Sequence, residues 1–168
     1  LVKQHIPAAI KAGKTDIYFF FAGHGLASAD GNELYLMVHE SETGLLEDSA
    51  INLNQIVATI KSYNPKSITV FLDTCYAGAS RDGETLVAGL RPAQFVVKGM
   101  KAPLGVTVLS ASANNQISHS LKEAEHGLFS YYLMKGMMGE ADLNKDKKIS
   151  LGEIHEFTLA NVPKQALR

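Results

Sequence analysis

The chain of 168 residues has no tryptophan, a single cysteine and no excess of either charge. One cysteine excludes an internal disulfide, so the thiol of Cys75 is present either for packing or for reactivity. The formal net charge is -1 and the basic residues are scattered. This pattern argues against a nucleic-acid or polybasic membrane contact. No apolar run approaches the roughly 20 residues that a membrane span requires.

The N-terminus also lacks two features, an initiator methionine and the basic-then-apolar pattern of a secretory signal. Both absences predict a fragment or a processed chain, with other domains in a longer parent protein. We expect that protein in the cytoplasm. The composition is 46% hydrophobic, which is enough for one core, so a single domain over residues 1–168 is predicted.

The most informative stretch is the apolar run that ends at Cys75. Ile68 to Leu72 is short and β-branched and follows the breaker pair Asn64-Pro65, which predicts a buried strand. A strand buried on both faces is typical of a mostly parallel sheet. Ligand and catalytic sites of such sheets gather outside the carboxyl ends of the strands. Cys75 therefore lies where chemistry is expected.

The remaining segments alternate between strand and helix patterns. They are a helix ending near Ala12, strands over Asp16 to Phe21 (buried) and Gly105 to Ser110, a hairpin arm over Asn32 to Val38 with its turn at Asp30-Gly31, and helices over Ile51 to Tyr63 with Asn52 as N-cap, Gly127 to Met138 and Leu151 to Val162. This order predicts an α/β fold, a three-layer sandwich with a mostly parallel central sheet flanked by helices. Residues 80–103 have weak periodicity and predict a flexible or cleavable loop.

Two predicted strands run directly into reactive residues, His24 with Gly25 and, separately, Cys75. If these strands are parallel neighbours, His24 and Cys75 emerge at one edge of the sheet as imidazole base and thiol nucleophile. Gly25 leaves room for a substrate carbonyl, and its backbone N–H, with that of Cys75, could bind an oxyanion. Taken alone, a loop histidine and a lone cysteine are more often structural.

Tyr18 to Gly25, followed about 50 residues later by Leu72 to Gly78, resembles the catalytic pair of caspase-like cysteine peptidases. Asp73 stands where caspases have glutamine, which resembles the metacaspase and prokaryotic orthocaspase branch. Leu109 to Ser112 and His126 to Ser130 resemble its small-subunit half. The resemblance divides the chain into a large-subunit part (about 1–80), a loop (about 80–103) and a small-subunit part (about 104–168). The family's first strand and helix would precede residue 1.

The resemblance also implies roles for individual residues. Cys75 would attack the scissile carbonyl and His24 would transfer protons through an acyl-enzyme pathway. Asp73 would line the primary specificity pocket and select a peptide or protein substrate with Arg or Lys at the cleaved position. The alternative for Asp73 is a helix N-cap after the strand. Ser112 and Asn114 would form another wall of the pocket, and no cofactor would be required.

The predicted loop adds an autoprocessing hypothesis, since an enzyme that prefers basic residues could cut its own chain there. The candidate positions are Arg81, Arg91, Lys98 and Lys101, and an ordinary solvated loop is the alternative. The main rival for the whole chain is a catalytically silent caspase-like interaction module.

A calcium site is the second candidate chemistry. Asp142 to Glu153 fits the EF-hand pattern, with oxygen ligands at Asp142, Asn144, Asp146 and Glu153. Lys147 stands where calcium loops have glycine, and it brings positive charge. The alternative, which we favour, is a capping box from Ser150 to Glu153 that starts the last helix. Calcium is thus the one candidate effector, and a calcium-sensing module is a third hypothesis for the chain.

Overall fold

The computed structural model describes residues 5–28, 32–75, 105–111, 120–121 and 126–166. The strands are β1 (Asp16–Ala27), β2 (Leu34–Leu36), β3 (Ile51–Asn52), β4 (Ser67–Cys75), β5 (Val106–Ser110), β6 (Ser120–Leu121) and β7 (His126–Gly127). The helices are α1 (Ile6–Ala9), α2 (Leu46–Ser49), α3 (Leu53–Ser62), α4 (Leu128–Lys135) and α5 (Leu151–Ala166), and a π-helical turn, Gly136–Glu140, follows α4. Packing divides the chain into two compact units, residues 1–117 and 118–168.

The first unit contains a mixed five-stranded sheet in the order β3-β2-β1-β4-β5. Strands β1 and β5 both pair with β4 in parallel, whereas β2 is antiparallel to β1 and β3 is antiparallel to β2. The predicted α/β fold, with a sheet flanked by helices, is confirmed. The hairpin arm is also confirmed by the β1–β2 pairing, while its predicted turn at Asp30-Gly31 lies outside the described residues.

The centre of this unit is β4, whose residues 68–74 are all buried. One face of β4 presents Ile68, Val70 and Leu72 to the core. Helix α3 contributes Leu53, Val57 and Ile60, and β2 contributes Leu34 and Leu36 to the same cluster. Each fully buried aliphatic side chain of this kind stabilises the fold by roughly 1.5–3 kcal/mol. The predicted buried central strand is therefore confirmed.

The start of α3 follows the predicted N-cap. The side-chain oxygen of Asn52 accepts a hydrogen bond from the Gln55 N–H at 3.0 Å. This bond satisfies one of the backbone donors that the first turn of a helix leaves without an intrahelical partner. Because β3 ends at Asn52, the cap also joins the helix directly to the sheet.

Strand β1 differs from its prediction as a buried strand. It extends six residues further, to Ala27, and over Asp16–Gly23 its residues alternate between exposed and half-buried. The side chain of Tyr18 is 65% exposed and that of Phe20 is 52% exposed. On one face of β1, Ile17, Phe19 and Phe21 pack against the core, whereas Tyr18 and Phe20 lie on the opposite, more open face. In addition, β2 pairs only with Gly25–Ala27, and no described strand pairs with Asp16–Gly23 on that side. A run of apolar residues does not reveal how many neighbours its strand has.

The second unit packs α4 against α5. The rings of Tyr132 and Phe157 meet edge to face, with their centroids 6.2 Å apart. A Cβ atom at Gly136 would lie 3.1 Å from Ile154 Cδ1, so glycine allows the π-helical turn to approach α5 closely. In the described part of the chain, none of the helices is both long enough and apolar enough to span a bilayer.

Candidate active site

The carboxyl ends of β1 and β4 bring the two predicted reactive residues to neighbouring positions. The parallel ladder pairs nine residues of each strand, beginning at Asp16↔Ser67 and ending at His24↔Cys75. Neighbouring strands lie about 4.8 Å apart, and residues paired in register share a face of the sheet. Residues 24 and 75 are therefore adjacent on one face, at the end of the strands where α/β sites are expected. The His24 side chain is half-buried.

Asp73 lies two residues before Cys75 on β4 and pairs with Ala22 of β1. Because residues two apart in a strand share a face, Asp73 belongs to the same face as residues 24 and 75. Its side chain is completely buried, at 0% exposure. The alternative role as a helix N-cap is wrong, since β4 continues through Thr74 to Cys75 and no helix begins at Asp73.

Gly25 lies one residue beyond the last β1–β4 pair. The His24 carbonyl accepts a hydrogen bond from the Met37 N–H, at 2.9 Å, on the β2 side. In a trans peptide the C=O and the following N–H point in opposite directions, so the N–H of Gly25 faces the β4 side. A Cβ at Gly25 would lie 3.3 Å from Leu34 Cδ1 and 3.5 Å from Thr74 Cβ. Glycine keeps this crowded position open.

The carboxyl end of β5 adjoins the same edge of the sheet. Its pairing with β4 runs from Ile68↔Val106 to Leu72↔Ser110, and the Ala111 N–H donates to the Leu72 carbonyl at 2.8 Å. The two pocket residues predicted after this strand, Ser112 and Asn114, lie outside the described residues, as does the predicted loop over residues 80–103. Their roles stay predictions.

The segment before α5 contains the predicted capping box. The Glu153 N–H donates to Ser150 Oγ at 3.2 Å, and Glu153 Oε2 accepts from the Ser150 N–H at 2.9 Å. The bond from the Ser150 N–H, and next the bond that Ser150 Oγ donates to Glu153 Oε2 at 2.8 Å, lower the pKa of the Glu153 carboxyl. The predicted capping box at the start of α5 is therefore confirmed.

The carboxylates proposed as calcium ligands are hydrogen-bonded to the backbone of their own loop. Asp142 accepts from the N–H groups of Asp146 and Lys147, at 3.1 and 3.0 Å, and Asn144 Oδ1 accepts from the Asp146 N–H at 2.8 Å. In the described part of the chain, no group of three or more His, Cys, Asp or Glu side chains could hold a metal ion. Calcium binding here stays a prediction, and nothing in the reaction proposed below depends on it.

Sequence reasoning missed a polar cluster where β1 ends and β2 begins. The Tyr35 hydroxyl donates to Glu33 Oε2 at 2.8 Å, although the Tyr35 side chain is only 4% exposed. The Glu33 N–H in turn donates to Ser28 Oγ at 2.9 Å. The hydrogen bond to Glu33, together with burial, raises the pKa of the Tyr35 phenol. The only sequence signal was the alternation of Glu33 and Tyr35 with apolar residues along a predicted strand.

A family model described as the caspase domain matches residues 3–166 of the chain. The chain belongs to the caspase family. Comparison with curated proteins gave no match. Membership of the caspase family indicates a hydrolase of the cysteine-peptidase type, and the caspase domain extends over both compact units of the chain. The fold described above agrees with that assignment.

Proposed function

We propose that this caspase-family chain is a cysteine endopeptidase of the metacaspase or orthocaspase type that hydrolyses peptide bonds after Arg or Lys. The observation that carries the proposal is the in-register pairing of His24 with Cys75 at the carboxyl ends of two parallel strands. A thiol becomes a nucleophile when an adjacent base takes its proton. Among the residues that the structure describes, Cys75 and His24 are the only cysteine and the only histidine at this edge of the sheet.

The proposed reaction begins with transfer of the Cys75 thiol proton to the His24 imidazole. The thiolate attacks the scissile carbonyl carbon, and the C=O electron pair moves to the oxygen. When this intermediate collapses, the C–N bond breaks and His24 donates its proton to the leaving amine, which leaves a thioester. Water then attacks the thioester with His24 as base, releasing the carboxylate product and restoring the thiol.

The oxyanion of each tetrahedral intermediate needs two donors directed at one point. The proposed donors are the backbone N–H groups of Gly25 and Cys75. Support for Gly25 comes from its place directly after His24, one residue beyond the last β1–β4 pair, where the lack of a side chain keeps a crowded position open. Removal of one such donor in other enzymes costs about 10²–10³ in kcat.

Specificity for Arg or Lys is assigned to the Asp73 carboxylate. What supports this assignment is the position of this carboxyl group, on a residue two positions before Cys75 on the same face of β4. A charge-assisted hydrogen bond from a guanidinium or an ammonium group would select a basic side chain. The substrate would then be a peptide or protein with a basic residue before the cleaved bond, and Ser112 and Asn114 would complete the pocket.

The direct test is cleavage of fluorogenic Arg and Lys peptides by the wild-type chain and by Cys75→Ala, each with and without calcium. We expect turnover by the wild type and a loss of at least about 10³-fold in Cys75→Ala, because the acyl-enzyme pathway needs the thiolate. His24→Ala should cause a comparable loss. A matched control is His155→Ala, which removes an exposed histidine of α5.

Two results would contradict the proposal. Equal hydrolysis by wild type and Cys75→Ala would exclude the thiol as nucleophile. A folded wild-type chain that cleaves no Arg or Lys peptide, with or without calcium, would favour the catalytically silent interaction module. Calorimetric binding of calcium in the absence of any hydrolysis would favour the calcium-sensing module instead.

A further inference from the structure

Strand β2 contacts β1 only in the segment that begins at the proposed catalytic residues. The three register pairs are Gly25↔Leu36, Leu26↔Tyr35 and Ala27↔Leu34, and the Met37 N–H adds a bond to the His24 carbonyl. On the other side, β4 pairs with β1 only as far as His24. Beyond that residue, the described partner of the β1 backbone is β2. The position of Gly25 therefore depends on how firmly β2 is held.

At the end of the β1–β2 pairing away from His24, backbone and side-chain hydrogen bonds join Ser28 to Glu33. The Ser28 N–H donates to the Glu33 carbonyl at 2.9 Å, and the Glu33 N–H donates to Ser28 Oγ at 2.9 Å. The Tyr35 hydroxyl then donates to the Glu33 carboxylate at 2.8 Å. A buried phenol paired with a carboxylate makes a charge-assisted bond, stronger than a neutral one. Tyr35 thus restrains Glu33, the last residue of the β2 arm that is bonded to the β1 side.

Tyr35 also pairs with β3, the strand that leads directly into α3. Its register partner on β3 is Asn52, the residue that caps α3. By register it lies opposite Leu26, which shares a face with His24, so Tyr35 and His24 are diagonal neighbours on adjacent strands. The hydroxyl contact thus lies in an element that connects α3 to the backbone of the proposed base.

We propose that Tyr35, through its hydroxyl bond to Glu33, is a positioning residue for the backbone of His24 and Gly25. The proposal rests on the function proposed above, since Tyr35 would position His24, the proposed proton acceptor, and Gly25, a proposed oxyanion donor. The role is indirect, because the Tyr35 hydroxyl bonds to Glu33 and acts on His24 and Gly25 through the β2 backbone. Loss of its hydroxyl leaves the ring in the core but frees the Glu33 carboxylate, so the β2 arm shifts relative to β1.

The predicted effect of Tyr35→Phe is on the chemical step. A displacement of about 1 Å can cost about 10²-fold in rate, and a loosened arm should cost less. We expect kcat to fall about tenfold while KM stays within about twofold, because substrate-binding groups outside the arm are unchanged. Glu33→Ala should cause the same loss. Glu33→Gln, which keeps an oxygen acceptor, should restore most of the activity.

The experiment compares these variants with Tyr18→Phe, which removes an exposed phenolic hydroxyl from β1 itself. Three quantities are measured: kcat and KM, the pH profile of Cys75 alkylation by iodoacetamide, and deuterium uptake by peptides containing residues 24–27. We expect Tyr35→Phe to raise the apparent pKa of alkylation and to speed exchange at residues 24–27, whereas Tyr18→Phe changes neither. The double variant Tyr35→Phe with Glu33→Ala should lose no more than either single variant.

Cys75 alkylation and deuterium exchange do not require a substrate, so they test the positioning role separately from the peptidase function. If the wild type cleaves no peptide but both measurements shift in Tyr35→Phe, the proposed function fails and the positioning role stands. If both measurements in Tyr35→Phe match the wild type, the positioning role is overturned, whatever the activity. It is also overturned if Glu33→Gln behaves like Glu33→Ala, because the acceptor would then be irrelevant.

Discussion

Asp73 combines a charged side chain with complete burial inside a central strand. A buried carboxylate is costly unless polar groups or a counter-charge compensate it. A substrate guanidinium would supply such a counter-charge, which makes burial and specificity compatible.

At the scale of this residue, Asp73→Asn should reduce the preference for a basic side chain. Charge-assisted hydrogen bonds contribute about 1.5–3 kcal/mol, so kcat/KM for an Arg peptide should fall roughly 10- to 100-fold. The measurement is the ratio of kcat/KM for an Arg peptide to that for its neutral citrulline analogue. That ratio should approach one in Asp73→Asn.

The control for this comparison is Asp48→Asn, which removes an exposed carboxylate from the short helix α2. It should leave the Arg-to-citrulline ratio at the wild-type value. An unchanged ratio in Asp73→Asn would mean that another group reads the basic side chain.

At the scale of elements, local signals predicted most boundaries. The breaker before β4, the N-cap Asn52 of α3 and the capping box of α5 each act within a few residues, so the sequence alone reveals them. The exposure of β1 and the Tyr35–Glu33 bond could not be predicted in the same way. Exposure depends on which strands are neighbours, and the bond depends on the pairing of a hairpin arm.

The capping box also predicts a pH dependence for α5. The hydrogen bonds from Ser150 lower the pKa of Glu153, so its stabilising contribution is complete above its ordinary value and is lost as pH falls through the lower, folded-state value. We expect the denaturation midpoint of the wild type to fall more steeply below about pH 4.5 than that of Glu153→Gln. Glutamine keeps the capping acceptor but does not titrate in this range.

Urea denaturation at a series of pH values between about 3 and 7 measures this difference. The matched control is Glu156→Gln, an exposed glutamate in the same helix. Its midpoints should follow the wild-type curve at every pH. Parallel curves for wild type and Glu153→Gln would show that the capping carboxylate does not contribute to acid sensitivity.

At the scale of the whole molecule, the family and the sheet could be predicted from the sequence, whereas the substrate pocket could not. The motifs around His24 and Cys75 carry the resemblance to caspases, and the parallel order follows from short apolar strands. The proposed specificity pocket would combine Asp73 with Ser112 and Asn114, two residues that lie outside the described ranges. Its shape therefore depends on tertiary contacts that no local pattern encodes.

The proposed autoprocessing is also a property of the whole chain. A cut after Arg81, Arg91, Lys98 or Lys101 would separate β4 from β5 in the covalent chain. The two products should nevertheless stay together, because five residues of each strand pair in one ladder. We expect denaturing mass spectrometry of the wild type to show two fragments whose masses sum to the intact chain plus one water, while native mass spectrometry shows one species.

Cys75→Ala is the control for this measurement, since it lacks the proposed nucleophile and should show one intact chain under denaturing conditions. Identical single-chain masses for wild type and Cys75→Ala would remove autoprocessing from the proposal. Fragments in both preparations would point to a contaminating protease.

The nine-residue ladder between β1 and β4 makes the proposed site sensitive to insertions and deletions in either strand. Removing one residue anywhere within Asp16–Gly23 would advance His24 by one position and turn it to the opposite side of the sheet. A matching deletion within Ser67–Thr74 would bring the two residues back into register, but on the face that packs against α3. One-residue deletions in either strand, alone or together, should therefore be inactive even where they fold.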